Sequence, residues 1–315
     1  MSKAILGIGN AIVDIFAKVD EDFLNKHNLK KGSMKLLNKK EFQLLKKNIK
    51  IQKIIAGGSV ANTMTGISYL KGEASFFGKI NKDELGKQYI KSLKKSNVKF
   101  LYNQKNEKLS TGTSIILITP DSERTMCTYL GISSKLLHTD LNPLFFKNKK
   151  LIFLEGYLWD KGSCEKMFNL AIKIAKKNNC KIAMTLSDVY CVLRHKKYFI
   201  KLLENDLDLL IGNENEIKEL TNSKSLNQAI VKLKKFNKQI IITRSDHGSL
   251  AVIKEKIIHQ KAIKVKKIID LTGAGDLFAA GFLKKYVEES GIKTCLKSGS
   301  LLASKIIQKI GARIN

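Results

Sequence analysis

Residues 151–213 read LIFLEGYLWDKGSCEKMFNLAIKIAKKNNCKIAMTLSDVYCVLRHKKYFIKLLENDLDLLIGN. Three short apolar runs, at 151–156, 181–186 and 208–213, alternate with two longer stretches, at 163–178 and 195–205. The longer stretches carry apolar residues three and four apart, as in Met167, Leu170 and Ile174, which is one face of a helix. Strand, helix, strand, helix, strand at this spacing predicts a mostly parallel sheet with helices on both faces. Outward from this segment the rhythm continues, with strands expected at 4–10, 53–58, 74–80, 114–119 and 239–244. Helices are expected at 59–70, 84–96 and 225–236. Two stretches break the alternation. Residues 12–45 show no crossover helix of clear periodicity, and 100–130 read as β segments around Thr111-Gly112-Thr113 and Pro120-Asp121. Both predict hairpins that project from the sheet as a small lid. The division expected is a large α/β core of 1–11, 46–98 and 131–315, with 12–45 and 99–130 as the lid.

The chain has 315 residues, 43% of them hydrophobic, which excludes wholesale disorder and fibrous structure. No run of about 18 apolar residues occurs, so no membrane-spanning helix is expected. The opening MSKAILGIGN lacks the long apolar region of a secretory signal, and a cytoplasmic location is the expectation. Cys127, Cys164, Cys180, Cys191 and Cys295 form no C-x-x-C pair and read as buried, reduced thiols. The net charge is +29, yet of 57 basic residues only Arg124, Arg194, Arg244 and Arg313 are arginines. Nucleic-acid recognition favours the bidentate arginine fork and clustered basic faces. Lysines spread along the whole chain fit a compositional bias better, and no specific nucleic acid is expected. The field would still draw in anionic substrates.

The strongest local signal is Asp270-Leu271-Thr272-Gly273-Ala274-Gly275-Asp276. A β-type segment at 262–269 runs into this glycine turn, and a helix is expected to open near Gly275. Unpaired N–H groups at a helix start make an anion site, and small residues let a phosphate approach. An aspartate there makes sense as the acceptor of a proton from a hydroxyl attacking phosphorus, or as a helix cap. A second cluster, Ala56-Gly57-Gly58-Ser59-Val60-Ala61-Asn62, links a strand to a helix. It reads as a ligand-binding turn with Asn62 one helical turn in, or as a tight turn capped by Ser59. Gly7-Ile8-Gly9-Asn10-Ala11-Ile12 lacks the third glycine of a dinucleotide fingerprint. Asn10 and Asp14 remain, an amide and a carboxylate suited to vicinal hydroxyls, unless Asp14 is a solvated loop charge. Asn213-Glu214-Asn215-Glu216 follows a strand and could organise Mg²⁺ and phosphates, or cap a helix. No Walker A loop, H-E-x-x-H or G-x-S-x-G occurs.

Together these segments resemble the PfkB (ribokinase-like) family of carbohydrate and nucleoside kinases, over nearly the whole chain and in the family's order. Gly57 to Asn62 is similar to its N-terminal signature and Asn213 to Glu216 to its N-x-x-E. Asp270 to Asp276 resembles its C-terminal D-T-x-G-A-G-D, with Leu271 where Thr is frequent. Gly9-Asn10-Ala11-Ile12-Val13-Asp14-Ile15 and Glu123-Arg124-Thr125-Met126 are similar to the family's adenosine kinases, bacterial ones included. The resemblance implies a three-layer α/β/α sandwich with a β lid over the acceptor, and ATP-dependent phosphorylation of a nucleoside's primary hydroxyl, adenosine to AMP. The closest alternative is a sugar kinase of the same family, acting on ribose, fructose or a keto-deoxy sugar acid. A non-catalytic binder of nucleotide or nucleic acid rests on charge alone, and the intact turn ending in Asp276 argues against it.

Position by position, the resemblance makes Asp276 the base and the backbone of Gly273, Ala274 and Gly275 the anion hole. It places Asn10, Asp14, Gly57, Gly58 and Asn62 on the acceptor, with Arg124 closing from the lid. Asn213 and Glu216 would arrange phosphates and Mg²⁺, Glu216 through water, and Thr243 and Gly248 would line the ATP site. Asp270 and Thr272 would contribute to the K⁺ site found in many members. The implied assembly is a monomer or a dimer formed through the lid.

Overall fold

The computed structural model describes residues 3–121, 123–160 and 164–314, so the helix start expected at Ser163 lies outside the described residues. The chain opens with β1 (Ala4–Ile8) and passes through residues 9–11 into β2 (Ile12–Lys18). Then come α1 (Glu21–Lys26), β3 (Met34–Leu36), α2 (Lys39–Lys47) and β4 (Ile51–Ala56). After them run α3 (Ser59–Tyr69), β5 (Ala74–Phe77), α4 (Glu84–Lys95), β6 (Lys99–Phe100), β7 (Gly112–Ile118) and β8 (Arg124–Tyr129). The alternating stretch comprises β9 (Lys149–Glu155), α5 (Cys164–Lys177), β10 (Lys181–Thr185), α6 (Val189–Asn205) and β11 (Leu209–Asn213). It continues with α7 (Glu214–Leu220), α8 (Leu226–Lys234), β12 (Gln239–Thr243), β13 (Ser249–Ile253) and β14 (Lys256–Gln260), and closes with α9 (Ala274–Val287) and α10 (Ile292–Ile306).

Among the described residues two sheets form. The larger has the order β14-β13-β12-β11-β10-β9-β1-β5-β6, parallel except at the β13 and β14 edge. From β1 the chain moves one way across the sheet to β5, and from β9 it moves the other way to β12. Right-handed crossovers therefore put α3 on one face and α5 to α8 on the other, while α9 packs with α3 and α10 with α9. The order reverses between β1 and β9, and in such sheets ligands gather beyond the strands' carboxyl ends at that reversal. Asn10 and Glu155 sit there. The buried core is continuous across both helix layers, with Ile5, Leu6, Phe153, Leu154, Ile241 and Phe282 all excluded from solvent. All five cysteines are buried and free, as expected. No helix among the described residues is long and apolar enough to cross a membrane.

The smaller sheet has the order β3-β8-β7-β2-β4. Its pleat sends Ile15, Ala17, Ile115, Leu117, Cys127 and Tyr129 to a second apolar cluster completed by Leu24, Phe42 and Leu45 of α1 and α2. The opposite face carries Asp14, Ser114, Ile116, Arg124 and Met126 towards the larger sheet.

Four local readings change. Residues 12–45 hold two short helices. Asp20 caps α1 on the Phe23 N–H, and Asn38 and Glu41 close a capping box on α2. β4, expected in the core, pairs antiparallel with β2 and belongs to the small sheet. Residues 262–269 form no strand: the ladder ends at Gln260, and the segment runs largely exposed to the glycine turn. α6 begins at Val189, where the Asp188 carboxylate accepts from the Cys191 N–H.

Candidate active site

A cavity of about 440 Å³ lies between the two sheets at the β1/β9 reversal. The larger sheet and its helices bring Asn10, Gly58, Ser59, Asn62, Glu155, Gly273 and Asp276, and the small sheet brings Asp14 and Arg124. One side is apolar, formed by Ile12, Met34, Leu36, Ile116, Met126 and Leu130.

Asp276 occupies the first turn of α9. The helix is capped by Gly273, at φ +78° in the left-handed region, with no side-chain cap, so Asp276 is not spent on capping. Its Oδ1 accepts from Ser59 Oγ at 2.7 Å and its Oδ2 from Asn62 Nδ2 at 3.0 Å. Burial raises its pKa above the ordinary carboxylate value, and the two hydrogen bonds and the Arg313 charge oppose that rise. Of the three N–H groups expected to form the anion hole, that of Ala274 points at Leu271 O, 3.2 Å away. Ser59 does not cap α3: Gly58 is the cap residue, at φ +88°, and the Ser59 hydroxyl serves Asp276 instead.

Asp14 sits on β2, not in a loop, and lies against Gly57, where an added Cβ would stand 2.1 Å from its Oδ2. Burial pushes Asp14 up to about 7, Arg313 pulls it down, and Asp276 adds like-charge repulsion. Asn10 is buried, and its Nδ2 completes no hydrogen bond among the described residues, although the nearby Glu155 carboxyl is stabilised in its charged form by this amide, so Nδ2 remains a donor that a ligand oxygen can take up. Glu155, at the end of β9, was not singled out by sequence. It is buried, accepts from the N–H groups of Asn10 at 3.3 Å and Val60 at 3.2 Å, and is pushed up to about 8 by burial.

Arg124 crosses from β8 to the glycine turn, pairing with Asp270 and donating to Thr272 Oγ1. Asp270 Oδ1 also accepts from Thr272 N–H at 2.5 Å and Oδ2 from Gly311 N–H at 2.7 Å. Both carboxylate oxygens are therefore in use and a guanidinium already neutralises them. As arranged, Asp270 and Thr272 do not fit a K⁺ ion.

Asn213, Glu216, Thr243 and Gly248 are not among the residues lining this cavity. Asn213 and Thr243 are register partners at the carboxyl ends of β11 and β12, and Gly248 follows in the turn to β13. Asn213 and Glu216 form a reciprocal capping box: Glu216 N–H donates to Asn213 Oδ1 at 2.9 Å, and Asn213 N–H donates back to Oε2 at 2.9 Å. The helix-cap reading therefore holds. Yet Glu216 is buried and pushed up to about 7, by burial first and then by the nearby Asp188 charge, with no basic side chain acting on it. Unlike Asp270, this buried carboxylate has no neutralising cation beside it among the described residues, only the Asn213 amide and the charge of Asp188, so Glu216 suits a divalent cation that arrives with a nucleotide and is held through water.

A family model described as pfkB family carbohydrate kinase matches residues 37–315. The structure is similar to that of the adenosine kinase from Sinorhizobium meliloti, with 34% identity and a TM-score of 0.96, covering 100% of this chain and 96% of that one. It is also similar to a probable sugar kinase from Rhizobium etli CFN 42, with 31% identity and a TM-score of 0.95, covering 99% and 96%. The adenosine kinase of Saccharomyces cerevisiae is 25% identical over 333 residues, 99% of this chain and 96% of its own.

Proposed function

The chain belongs to the pfkB family of carbohydrate kinases, and we propose that it is an ATP-dependent kinase that phosphorylates the primary hydroxyl of adenosine. The observation that carries this reading is the cavity's division of labour. The Asp276 carboxylate, held by two donors, stands beside an unpartnered Asn10 amide and the Asp14 carboxylate, opposite an apolar side of aliphatic and methionine side chains. The polar end suits ribose hydroxyls. The apolar end suits a nucleobase face, and would leave a free sugar's hydroxyls unpaired. That contrast favours the nucleoside over the sugar acceptor.

In this reading the 5′-hydroxyl lies within reach of Asp276, and its proton passes to the carboxylate as its oxygen bonds to the γ-phosphorus and ADP leaves. Asp276 must be ionised to accept the proton, which the Ser59 and Asn62 hydrogen bonds favour. Backbone N–H groups of Gly273, Ala274 and Gly275 hold the phosphoryl charge, Ala274 after leaving Leu271 O. Asn10, Asp14, Gly57, Gly58 and Asn62 hold the ribose. Arg124, already joining the small sheet to the turn, closes the cavity and excludes water that would waste ATP. On the nucleotide side, Asn213, Thr243 and Gly248 line the ATP site, and Glu216 holds Mg²⁺ through water. Mg²⁺ supplies charge neutralisation of the transferring phosphates. Because α1 and α2 cover the outer face of the small sheet, a monomer fits better than a lid-to-lid dimer.

The test is ATP consumption with Mg²⁺ against adenosine, guanosine, inosine, cytidine, ribose, fructose and 2-keto-3-deoxygluconate. Selective turnover of adenosine is expected. Selective turnover of a sugar would move the acceptor and overturn the nucleoside reading.

A further inference from the structure

Arg313 is the third residue from the end of the sequence given, beyond α10, and belongs to none of the motifs. Nevertheless it is buried and bonds to three separate elements. Its Nε donates to Asn62 Oδ1 at 3.0 Å, one terminal nitrogen donates to Ser92 Oγ at 2.9 Å, and the other donates to Gly57 O at 3.0 Å. The guanidinium also stands 5.8 Å from the centre of the Tyr89 ring, and Tyr89 hydroxyl donates to the same Gly57 carbonyl.

A carboxamide has one end that accepts and one that donates, and its partners decide which way it points. A guanidinium can only donate. Arg313 therefore holds the Asn62 oxygen towards itself and sends Nδ2 to Asp276 Oδ2, 3.0 Å away. By its bond to Gly57 O it also fixes the turn against which Asp14 is packed. We propose that Arg313 is a positioning residue for phosphoryl transfer, orienting the Asp276 carboxylate through the Asn62 amide and the Asp14 carboxylate through the Gly57 turn. The proposal rests on the assignment of Asp276 as base. The ionisable groups acting on this guanidinium are Tyr89 from α4, Asp14 from β2 and Asp276 from α9, so it also supplies positive charge to the two carboxylates.

The experiment compares Arg313→Met, Asp276→Asn and the double variant in the full-length protein, measuring kcat, acceptor KM, the pH profile and ATP binding. Misplacing a reacting group by about 1 Å costs roughly 10²-fold in rate, so Arg313→Met is expected to lose about 10- to 100-fold in kcat with ATP binding retained. Its acid limb should move to higher pH, because the carboxylates lose a neighbouring cation. In the Asp276→Asn background the same substitution should cost less than about threefold in kcat, since the group it orients is already disabled. An equal loss in both backgrounds, or an unmoved acid limb, overturns the positioning role while leaving the base assignment intact. Near-normal turnover of Asp276→Asn alone refutes the base reading instead. Should Arg313→Met fail to fold, Arg313→Lys keeps the cation without the fork. It should retain the wild-type acid limb with reduced kcat, and a wild-type kcat in that variant contradicts the proposal.

Discussion

Gly57→Ala isolates the acceptor carboxylate from everything else. The Gly57 backbone lies outside the left-handed region, so alanine imposes no backbone strain there. The added Cβ, however, would stand 2.1 Å from Asp14 Oδ2, 2.5 Å from Cγ and 2.7 Å from Oδ1. All three distances are far below ordinary contact. The Gly57 N–H bond to Ile12 O at 2.8 Å and the carbonyl bond from Arg313 at 3.0 Å tie the turn on both sides. The side that gives way is therefore the Asp14 side chain, by about 1 Å to restore van der Waals contact. A shift of that size removes roughly one charge-assisted hydrogen bond, about 2–3 kcal/mol, or close to 10²-fold in kcat/KM. The assay varies adenosine at saturating ATP, with ATP affinity and thermal unfolding measured separately. The expected result is a large loss of adenosine kcat/KM with unaltered ATP binding and folding. An adenosine kcat/KM within about threefold of wild type, in a folded variant, would refute the placement of Asp14 on the acceptor.

Gly275→Ala should have the opposite profile of fold and function. No atom lies within 4 Å of the added Cβ, and alanine in a helix is favoured over glycine by about 0.5–1 kcal/mol, so the melting temperature should hold or rise. Turnover should fall by an order of magnitude or more, because the Cβ stands where the anion approaches; wild-type kcat would contradict the anion-hole assignment. The buried acids also set a pH dependence of stability. Asp14, Glu155 and Glu216 are raised to about 7, 8 and 7, so between roughly pH 4 and 8 the native state holds protons that the unfolded chain has released. Stability of the ligand-free protein should therefore fall as pH rises from 5.5 to 8.5, one such group contributing up to about 4 kcal/mol. A melting temperature flat or rising over that interval would contradict the burial of these charges.

The larger sheet was legible because its strands are buried on both faces and read as continuous apolar runs between helices of clear period. The small sheet's helices were harder to find. α1 spans six residues and α2 nine, too short for the 3.6-residue period to stand out from the lysines around them. Residues 262–269 carry β-prone side chains, but strand formation requires a partner edge, and the ladder stops at β14. The motif residues that gather around Asp276 were legible because backbone geometry demands small or amide residues at their turns. Glu155 and Arg313 were not. Glu155 meets Val60 across 95 residues, and Arg313 meets Asn62 across 251, and nothing in their flanking sequence announces a turn, a cap or a period. Ser59 was visible, but its role was hidden by its place beside a helix start, where serine ordinarily caps.

The central claim is that the Asp276 carboxylate takes the acceptor's proton. The most direct measurement is the rate of AMP formation from adenosine and MgATP by wild type and Asp276→Asn, alongside ATP and adenosine affinities. The account predicts both ligands bound within a few-fold of wild type and a turnover lower by about 10²–10⁴-fold. AMP formation by Asp276→Asn at near the wild-type rate would contradict it.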